Sequence, residues 1–433
     1  MHAALVARPG SCIRRLGGTR AGEMQFTRFL RNEAVTAAEM SRHAGAVTSA
    51  RVAGRHVVAI QDTSEVALGG RRAREAGYGP VGKGGGVGGL LLHTVLAVDA
   101  VGGDLLGLVS MEVWNRTGGK VTARRKRETR DKESQRWLDG TRQAGEVLAQ
   151  AASVTVLCDR EGDFYELFAG RPGHVDLIVR AGQDRRIAAP VEGLLFAFID
   201  GQPEQGRYGV TIPAAPGRKA RSAELAVRFA PVAVSRPVNG ADPALPARVA
   251  MTLVDVREVS TPEDGSEPVH WRLLTSHAVA DAAAARRIVD LYRQRWIVEE
   301  FFRTLKTAGF DIEAADIGAP RAMINFTAAA TVAAVTVLQL VRARDGTTEQ
   351  RLTDAFDPDD QPVLEAVSTR LEGKTERQRN PHPKGSMAFA AWVLARLGGW
   401  TGYYGKPGPK VMRRGLEEFR AIKYGATLWC HDV

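Results

Sequence analysis

Two apolar, β-branched runs that each end on an aspartate constrain the fold of this 433-residue chain more than any other feature. The run "HVVAIQD" ends at Asp62, and the run "SVTVLCD" ends at Asp159 just before the helical pattern "REGDFYELFAG". Continuous apolar runs of this length indicate strands that are buried on both faces. The repeated order of buried strand, acid and helix predicts an α/β protein with both carboxylates at strand ends.

The segments around these runs predict the remaining organisation. After the first run, "LLLHTVLAVDA" and "LLGLVSMEVW" indicate two further strands, so we expect a three-strand meander. Residues 184–275 alternate apolar positions among many Val, Pro and Gly residues, which indicates β-structure without a helix. A helical pattern resumes at Asp281 and dominates the rest of the chain. We therefore divide the chain into five segments: 1–50, with a clear helical pattern only over 26–40, then 51–183, 184–275, 276–345 and 346–433.

The charge balance favours a polyanionic partner. The chain has 59 Lys and Arg against 49 Asp and Glu, a net charge of +10. Nucleic acid is the natural partner for such a chain, although charge alone leaves an ordinary basic protein open. Three widely spaced cysteines, Cys12, Cys158 and Cys430, lack the spacing of a zinc site or a disulfide framework. They predict a reducing compartment, the cytoplasm.

One segment, 322–341, has the length of a membrane span. Its alanines and threonines provide little hydrophobic drive, and it contains Asn325 and Gln339. We expect a buried helix there and no contact with a membrane. The first ten residues lack the long apolar core of a signal peptide, which argues against secretion.

The stretch "LYRQRWIVEEFFRTLK", residues 291–306, places two adjacent acids among aromatic and basic residues. Each residue of an α-helix turns the face by about 100°, so Glu299 and Glu300 point in different directions. The stripe of Glu299 also holds Tyr292, Arg295 and Lys306. Taken alone, this stripe is equally well explained as a solvated helix face with an ordinary Arg295–Glu299 ion pair.

The aspartates and Glu299 make a stronger pattern together. Asp62 and Asp159 are 159 − 62 = 97 positions apart, and Glu299 lies 299 − 159 = 140 positions further on. Each aspartate taken singly is better explained as a helix cap or turn former after a strand. However, three carboxylates from two strands and one helix are what a two-metal phosphodiester site requires, because Mg²⁺ prefers hard oxygen ligands. We therefore expect a catalytic site.

These motifs resemble the DDE transposases of bacterial insertion sequences, in the cut-and-paste branch that forms DNA hairpins and carries a Y-R-E-K motif. The resemblance rests on "IQDTSE", "CDREGDFYELF", the Tyr, Arg, Glu and Lys spacing, "DKESQRW" and "HWRLLTS". It implies an RNase H-like core, a mixed sheet flanked by helices, in 51–183 and 276–345. It also implies that 184–275 is a β-rich insertion, that 1–50 is a shortened helical DNA-binding region, and that 346–433 is a helical dimerisation region.

The resemblance further implies a set of site residues. Asp62, Asp159 and Glu299 would bind two Mg²⁺ ions, with Mn²⁺ as an acceptable substitute. The DNA-binding residues would be Tyr292, Arg295, Lys306, Trp271, Arg160 and Lys132. Trp271 would stack beside a flipped base at the hairpin, although a core aromatic at a strand start explains it equally well.

The implied partners are double-stranded DNA, both the terminal inverted repeats and the target, and a second copy of the chain in a synaptic homodimer. The implied location is the bacterial cytoplasm, at the nucleoid. Two other functions stay open. Only 61 residues precede Asp62, fewer than in similar transposases, so a truncated DNA-binding or dimerising inhibitor of transposition is one alternative. An RNase H-like nuclease without strand transfer is the other.

Overall fold

The computed structural model describes residues 1–7, 10–69, 76–82, 85–116, 134–212, 220–238, 242–262, 265–403 and 405–430. In these residues the strands form one large mixed sheet with helices on both faces. The strands are β1 His56–Ala67, β2 Gly79–Val81, β3 Val87–Asp99, β4 Leu105–Trp114, β5 Ser153–Cys158, β6 Val175–Arg180, β7 Arg186–Ala189, β8 Gly193–Leu194, β9 Gly206–Ile212, β10 Arg221–Ser235, β11 Arg248–Glu258 and β12 His270–Thr275.

The helices of the described residues precede, punctuate and follow these strands. They are α1 His2–Ala7, α2 Ile13–Gly17, α3 Arg20–Arg31, α4 Ala37–Ser49, α5 Gln135–Val147, α6 Tyr165–Gly170, α7 Leu195–Asp200, α8 Ala282–Arg293, α9 Trp296–Arg303, α10 Pro320–Ala343, α11 Asp360–Leu371, α12 Met387–Leu397 and α13 Pro409–Cys430. A π-helical turn, Thr304–Ala308, directly follows α9.

The first strands form the predicted meander and then a parallel pair. β1 pairs antiparallel with β3, and β3 pairs antiparallel with β4, which confirms the meander. β1 also pairs parallel with β5, and β5 pairs parallel with β6. The expectation that the first strand ends at Asp62 is wrong. β1 continues to Ala67 because β3 still pairs with it there, with Asp62 opposite Thr94.

The strands between 184 and 275 extend the same sheet. β12 pairs antiparallel with β6, and the order continues through β11, β10 and β7. The expectation of no helix in this segment is wrong, because α7 lies within it. Leu195 and Ile199 are four residues apart and fully buried, so one apolar stripe of this short helix packs into the core.

The N-terminal segment is more helical than predicted, and the single helix expected over 26–40 is two helices. α3 ends at Arg31, and the Asn32 side chain accepts a hydrogen bond from the Ala34 amide at 3.0 Å. The Thr36 hydroxyl then caps α4 by accepting from the Glu39 amide at 3.2 Å. Asn and Thr side chains compete with helical hydrogen bonds and favour such caps.

Helix α10 is the long apolar segment that was expected to be buried. It is the one helix in the described part of the chain that is long and apolar enough for a membrane span, but 89% of its most apolar stretch is buried. Its polar residues make tertiary contacts: Asn325 donates to the Leu30 and Val35 carbonyls, and Gln339 donates to the Leu105 carbonyl, each at 3.0 Å. The prediction of a buried helix is confirmed.

Alternate residues of the central strands face two different cores. Ile60, Leu157 and Ile178 face the core that includes α8, α9 and α10. Ala59, Val156 and Val179 face the core that includes α5 and α6. This alternation decides which side of the sheet receives each polar residue at the strand ends.

Truncation of Phe326 tests the central role of α10. Phe326 is 1% exposed, so Phe326→Ala should lower the free energy of unfolding by about 3–5 kcal/mol through lost burial and a cavity. Ile324→Ala, at a half-buried position of the same helix, is the control and should cost less. Chemical denaturation measures both, and equal losses would contradict this account of the core.

Candidate active site

The first two candidate acids lie side by side on neighbouring strands. The parallel pairing of β1 with β5 has a constant offset of 97 residues, as in Ile60 opposite Leu157. Continuing this register by two residues sets Asp62 beside Asp159. Neighbouring strands are about 4.8 Å apart, and in-register side chains point to the same face. Both carboxylates therefore face the core that includes α8, α9 and α10.

Asp159 lies where β5 ends. Its carboxylate accepts a hydrogen bond from the Glu161 amide at 2.8 Å and caps the single 3₁₀ turn Arg160–Gly162. Asp159 is thus at a strand end and is also a helix cap, so both of the roles weighed for it describe its position. Arg160 is exposed beside it.

The helical stripe around Glu299 is interrupted. α8 ends at Arg293, and α9 begins at Trp296 after a tight turn in which the Arg295 amide donates to the Tyr292 carbonyl at 3.0 Å. Lys306 lies in the π-helical turn that follows α9. The rotation of 100° per residue therefore does not hold from Tyr292 to Lys306, although Arg295 and Glu299 remain in contact.

Arg295 joins the strand acid to the helix acid. Its Nη1 atom lies 3.0 Å from Asp62 Oδ2, and its Nη2 atom lies 3.1 Å from Glu299 Oε1. The Arg295 and Asp62 side chains are each 14% exposed, whereas Glu299 is 46% exposed. The structure thus brings Asp62, Asp159 and Glu299 into one region, with a guanidinium between the first and the third.

The electrostatics of the site reflect crowded acids. Burial, and then the neighbouring Asp159, raise the pKa of Asp62 to about 7, although Arg295 and the Thr63 amide act in the opposite direction. Burial also raises the pKa of Tyr292 to about 12, against the opposing effect of Arg295 and Arg180. The positive charge present does not compensate for the burial and mutual repulsion of the carboxylates.

A family model described as "Transposase DDE domain" matches residues 115–335. The match covers 335 − 115 + 1 = 221 residues, just over half of the chain. The chain belongs to the DDE transposase family. The large mixed sheet flanked by helices is consistent with an RNase H-like transposase domain, and membership implies a transposition enzyme that acts on DNA.

The match includes Asp159 and Glu299 of this transposase but begins after Asp62. Asp62 is nevertheless bound to the matched region, because β1 pairs with β5 and Arg295 bridges to it. The strand pairing and the Arg295 ion pair therefore place Asp62 next to the matched region, although the family match does not include it.

The donor set of the transposase fits a hard divalent cation. Three carboxylates offer oxygen ligands of the kind that Mg²⁺ and Mn²⁺ prefer. Within the described ranges, no three His, Cys, Asp or Glu side chains already stand grouped as metal ligands, and Arg295 lies between Asp62 and Glu299. Burial first, and the neighbouring Asp159 second, raise the pKa of Asp62, and a bound cation would favour its charged form.

The expected DNA-binding residues lie at different distances from these acids. Tyr292 is 5% exposed and meets Trp271 edge-on, with ring centroids 6.1 Å apart. Trp271 is half-buried on β12, so it is both a packing residue and a neighbour of the site. Lys132 lies outside the described residues.

Lys306 is held further along the sheet. Its Nζ atom lies 3.5 Å from Glu313, whose carboxylate also accepts from the Ala67 amide at 3.0 Å. Ala67 is five residues beyond Asp62, about 16 Å along an extended strand. The structure therefore does not bring Lys306 into contact with the three acids.

Sequence reasoning missed Arg180. The β5–β6 register has an offset of 21 residues, as in Cys158 opposite Val179, and its continuation sets Arg180 beside Asp159. Burial lowers the pKa of Arg180, while Tyr292 and Asp159 favour its charged form. Arg180 ends the strand "VDLIVR", so the strand-end argument that selected Asp159 could have found it.

The contacts of Glu300 show which of the two adjacent acids, Glu299 or Glu300, belongs to the site. It lies 3.3 Å from Arg342 on α10, which also donates to the Gly103 carbonyl at 2.7 Å. Glu300 therefore joins α9, α10 and the β3–β4 turn, in a direction different from that of Glu299, as the helical geometry predicts.

Asp62→Asn should change the pH dependence of stability in metal-free transposase. Because the folded pKa of Asp62 is raised from 3.8 to about 7, the wild type loses stability as pH rises through this window. Asn removes that loss. The free energy of unfolding of the variant, relative to wild type, should therefore be higher at pH 8 than at pH 5 by on the order of 2 kcal/mol, and the Tm difference should change in the same direction.

Thermal unfolding in a chelator at both pH values measures this difference. Glu299→Gln makes the same acid-to-amide change at a half-exposed carboxylate of the same site and is the control. If the stability difference between Asp62→Asn and wild type does not vary with pH, ionisation of Asp62 does not destabilise the folded protein.

Proposed function

We propose that the protein is a Mg²⁺-dependent cut-and-paste transposase of a bacterial insertion sequence. It nicks the element ends, forms and resolves DNA hairpins, and joins the 3′ ends to target DNA. The observation that carries the proposal is the convergence of three carboxylates: Asp62 beside Asp159 by strand register, and Glu299 joined to Asp62 through Arg295.

Asp62, Asp159 and Glu299 would hold the divalent ions, which when bound activate an attacking oxygen and stabilise a leaving oxygen. Arg295 is the residue whose role follows most directly from the geometry. Its guanidinium holds two of the three acids in the structure, and release from either one frees planar donors that match a phosphate. We assign Arg295 to a phosphate beside the scissile bond.

Other groups near Asp159 suit the DNA backbone. Arg160 is exposed next to it, Arg180 lies beside it by register, and the Tyr292 phenol is close enough to interact electrostatically with Asp159. Phosphate contacts of this kind position a duplex without reading its sequence. Lys306, which lies near the Ala67 end of β1 through Glu313, would contact the same DNA at some distance from the cut.

The hairpin step is supported by the place of Trp271. It stands on β12, the strand that pairs with β6, and its ring meets Tyr292 at the site. A base displaced from the duplex at this point would find an aromatic surface, and stacking on such a surface contributes about 1–3 kcal/mol.

The domain roles complete the proposal. Residues 1–50 would contact the terminal inverted repeats, and 346–433 would dimerise in a synaptic complex. The core would consist of 51–183 and 276–345, with 184–275 as the insertion that carries Trp271. Basic surfaces that bind DNA account for the net charge of +10.

Excision of a marker flanked by the DNA that borders this gene tests the proposal. Wild type should excise the marker, and Glu299→Gln should reduce excision to background because a metal ligand is lost. Glu300→Gln is the matched control. It changes the adjacent acid, which contacts Arg342 on α10 and not the other two acids, and it should retain excision.

The excision assay and assays with purified protein distinguish the alternatives. If wild type excises no more than Glu299→Gln, the catalytic proposal fails and the inhibitor alternative is favoured. Alanine at Asp62 or Asp159 should likewise abolish nicking of labelled ends while gel-shift binding persists. Nicking without joining to a target plasmid would favour a nuclease.

Trp271→Ala should separate the hairpin step from the first nick. Loss of base stacking should slow hairpin formation by about 5- to 100-fold, with the first nick little changed. Trp271→Phe keeps an aromatic face and should recover most of the rate. Denaturing gels of end-labelled duplexes resolve nicked and hairpin products, and equal loss of both would assign Trp271 to packing alone.

A further inference from the structure

A buried chain of polar side chains lies on the side of the sheet opposite to the aspartates. Gln61 and Cys158, the residues before Asp62 and Asp159, are fully buried and point to this side. The Gln61 Nε2 atom lies 3.2 Å from Cys158 Sγ, which connects β1 to β5 directly beneath the acids. The other members are Thr63, His93 and Thr141, of which His93 is 3% and Thr141 is 1% exposed.

The direction of the hydrogen bonds in this chain follows from its end. The Thr141 hydroxyl donates to the Trp137 carbonyl at 2.8 Å, so it accepts from Gln61 Nε2 at 3.0 Å. Gln61 Oε1 must then accept from His93 Nε2 at 3.2 Å. His93 Nδ1 is left to accept from the Thr63 hydroxyl at 2.8 Å.

This row of polar side chains is coupled to the carboxylate of Asp62 through the backbone. The Thr63 amide donates to Asp62 Oδ1 at 2.8 Å, while the Thr63 side chain is anchored to His93 on the other face of the strand. The amide and the hydroxyl of Thr63 thus each make a hydrogen bond, one on either face of β1, and together they fix the backbone at this residue. A shift of Thr63 would move the amide that holds Asp62.

The helix beneath the sheet is fitted closely to this chain. A Cβ atom at Gly140 of α5 would lie 2.6 Å from Gln61 Oε1 and 3.4 Å from His93 Nε2. Glycine at this position allows Thr141 to reach Gln61. The polar chain therefore sits in a space that fixes its geometry.

We propose that Gln61, Thr63 and His93 are positioning residues that hold Asp62 beside Asp159 in the geometry that a divalent cation requires. This inference rests on the proposed function, since it assumes that the two aspartates bind metal. Hydrogen-bond partners of metal ligands commonly affect metal affinity by about 10- to 100-fold when removed. A network that only stabilised the sheet would have no such effect on affinity.

Substitutions at Thr63 provide the sharpest test. Thr63→Val keeps the shape of the side chain and removes the hydroxyl, whereas Thr63→Ser keeps the hydroxyl. Mn²⁺ binding to the full-length protein without DNA is measured by calorimetry and by the loss of free Mn²⁺ signal in electron paramagnetic resonance. We expect about 10-fold weaker binding for Thr63→Val and near-normal binding for Thr63→Ser.

Thr48→Val is the matched control for a buried threonine away from the site. The Thr48 hydroxyl is 1% exposed and donates to the Leu108 carbonyl at 2.7 Å, between α4 and β4. Its loss should lower the Tm, as the loss at Thr63 should, while Mn²⁺ affinity stays at the wild-type level.

The outcomes separate this inference from the proposed function. Normal Mn²⁺ affinity in Thr63→Val, with wild-type binding that depends on Asp62, overturns the inference and leaves the function standing. Equal weakening in Thr63→Val and Thr48→Val also overturns it, because a general loss of stability would then suffice. If neither the wild type nor Asp62→Asn binds Mn²⁺, the metal site itself is refuted.

Discussion

The parallel pairing of β1 with β5 is the constraint on which the candidate site depends. Its offset of 97 residues equals the separation of Asp62 and Asp159 in the sequence, so the continued register sets two half-buried carboxylates next to each other. Two like charges that close destabilise the folded protein unless positive charge compensates them. Arg295 supplies one such charge from a distant part of the sequence, and the turn between α8 and α9 places it against the strand that carries Asp62.

Much of this arrangement could be predicted from the sequence, because the central strands carry continuous apolar runs and the buried helix α10 has a distinctive composition. The acids were found because they interrupt or end such runs. The wrong end assigned to β1 has a tertiary cause, since pairing with β3 keeps the polar residues after Asp62 extended. The divided helix over 26–40 and the short α7 depended on local caps and on two buried residues, signals too brief to outweigh the surrounding pattern.

The remaining features could not be recognised along the chain because they exist only across strands. Arg180 gains its meaning from lying beside Asp159, and a single arginine at a strand end carries no such information. Gln61, Thr63 and His93 are polar residues within buried strands, and nothing in their order shows that they contact one another. Likewise, the turn at Gln294 and Arg295 and the π-helical turn at Lys306 keep the apolar period of a helix, so the breaks between them leave little trace in the sequence.

The continuity of the sheet through β6 and β12 has a consequence for the architecture of the chain. In the described residues, β6 has β5 on one side and β12 on the other, so the strands that follow residue 184 cover an edge of the central sheet. Removing them would expose the backbone amides and carbonyls of a largely apolar strand to other molecules, the usual template for aggregation. The segment that carries Trp271 therefore also covers that edge, and its loss would leave the edge open to pairing with other molecules.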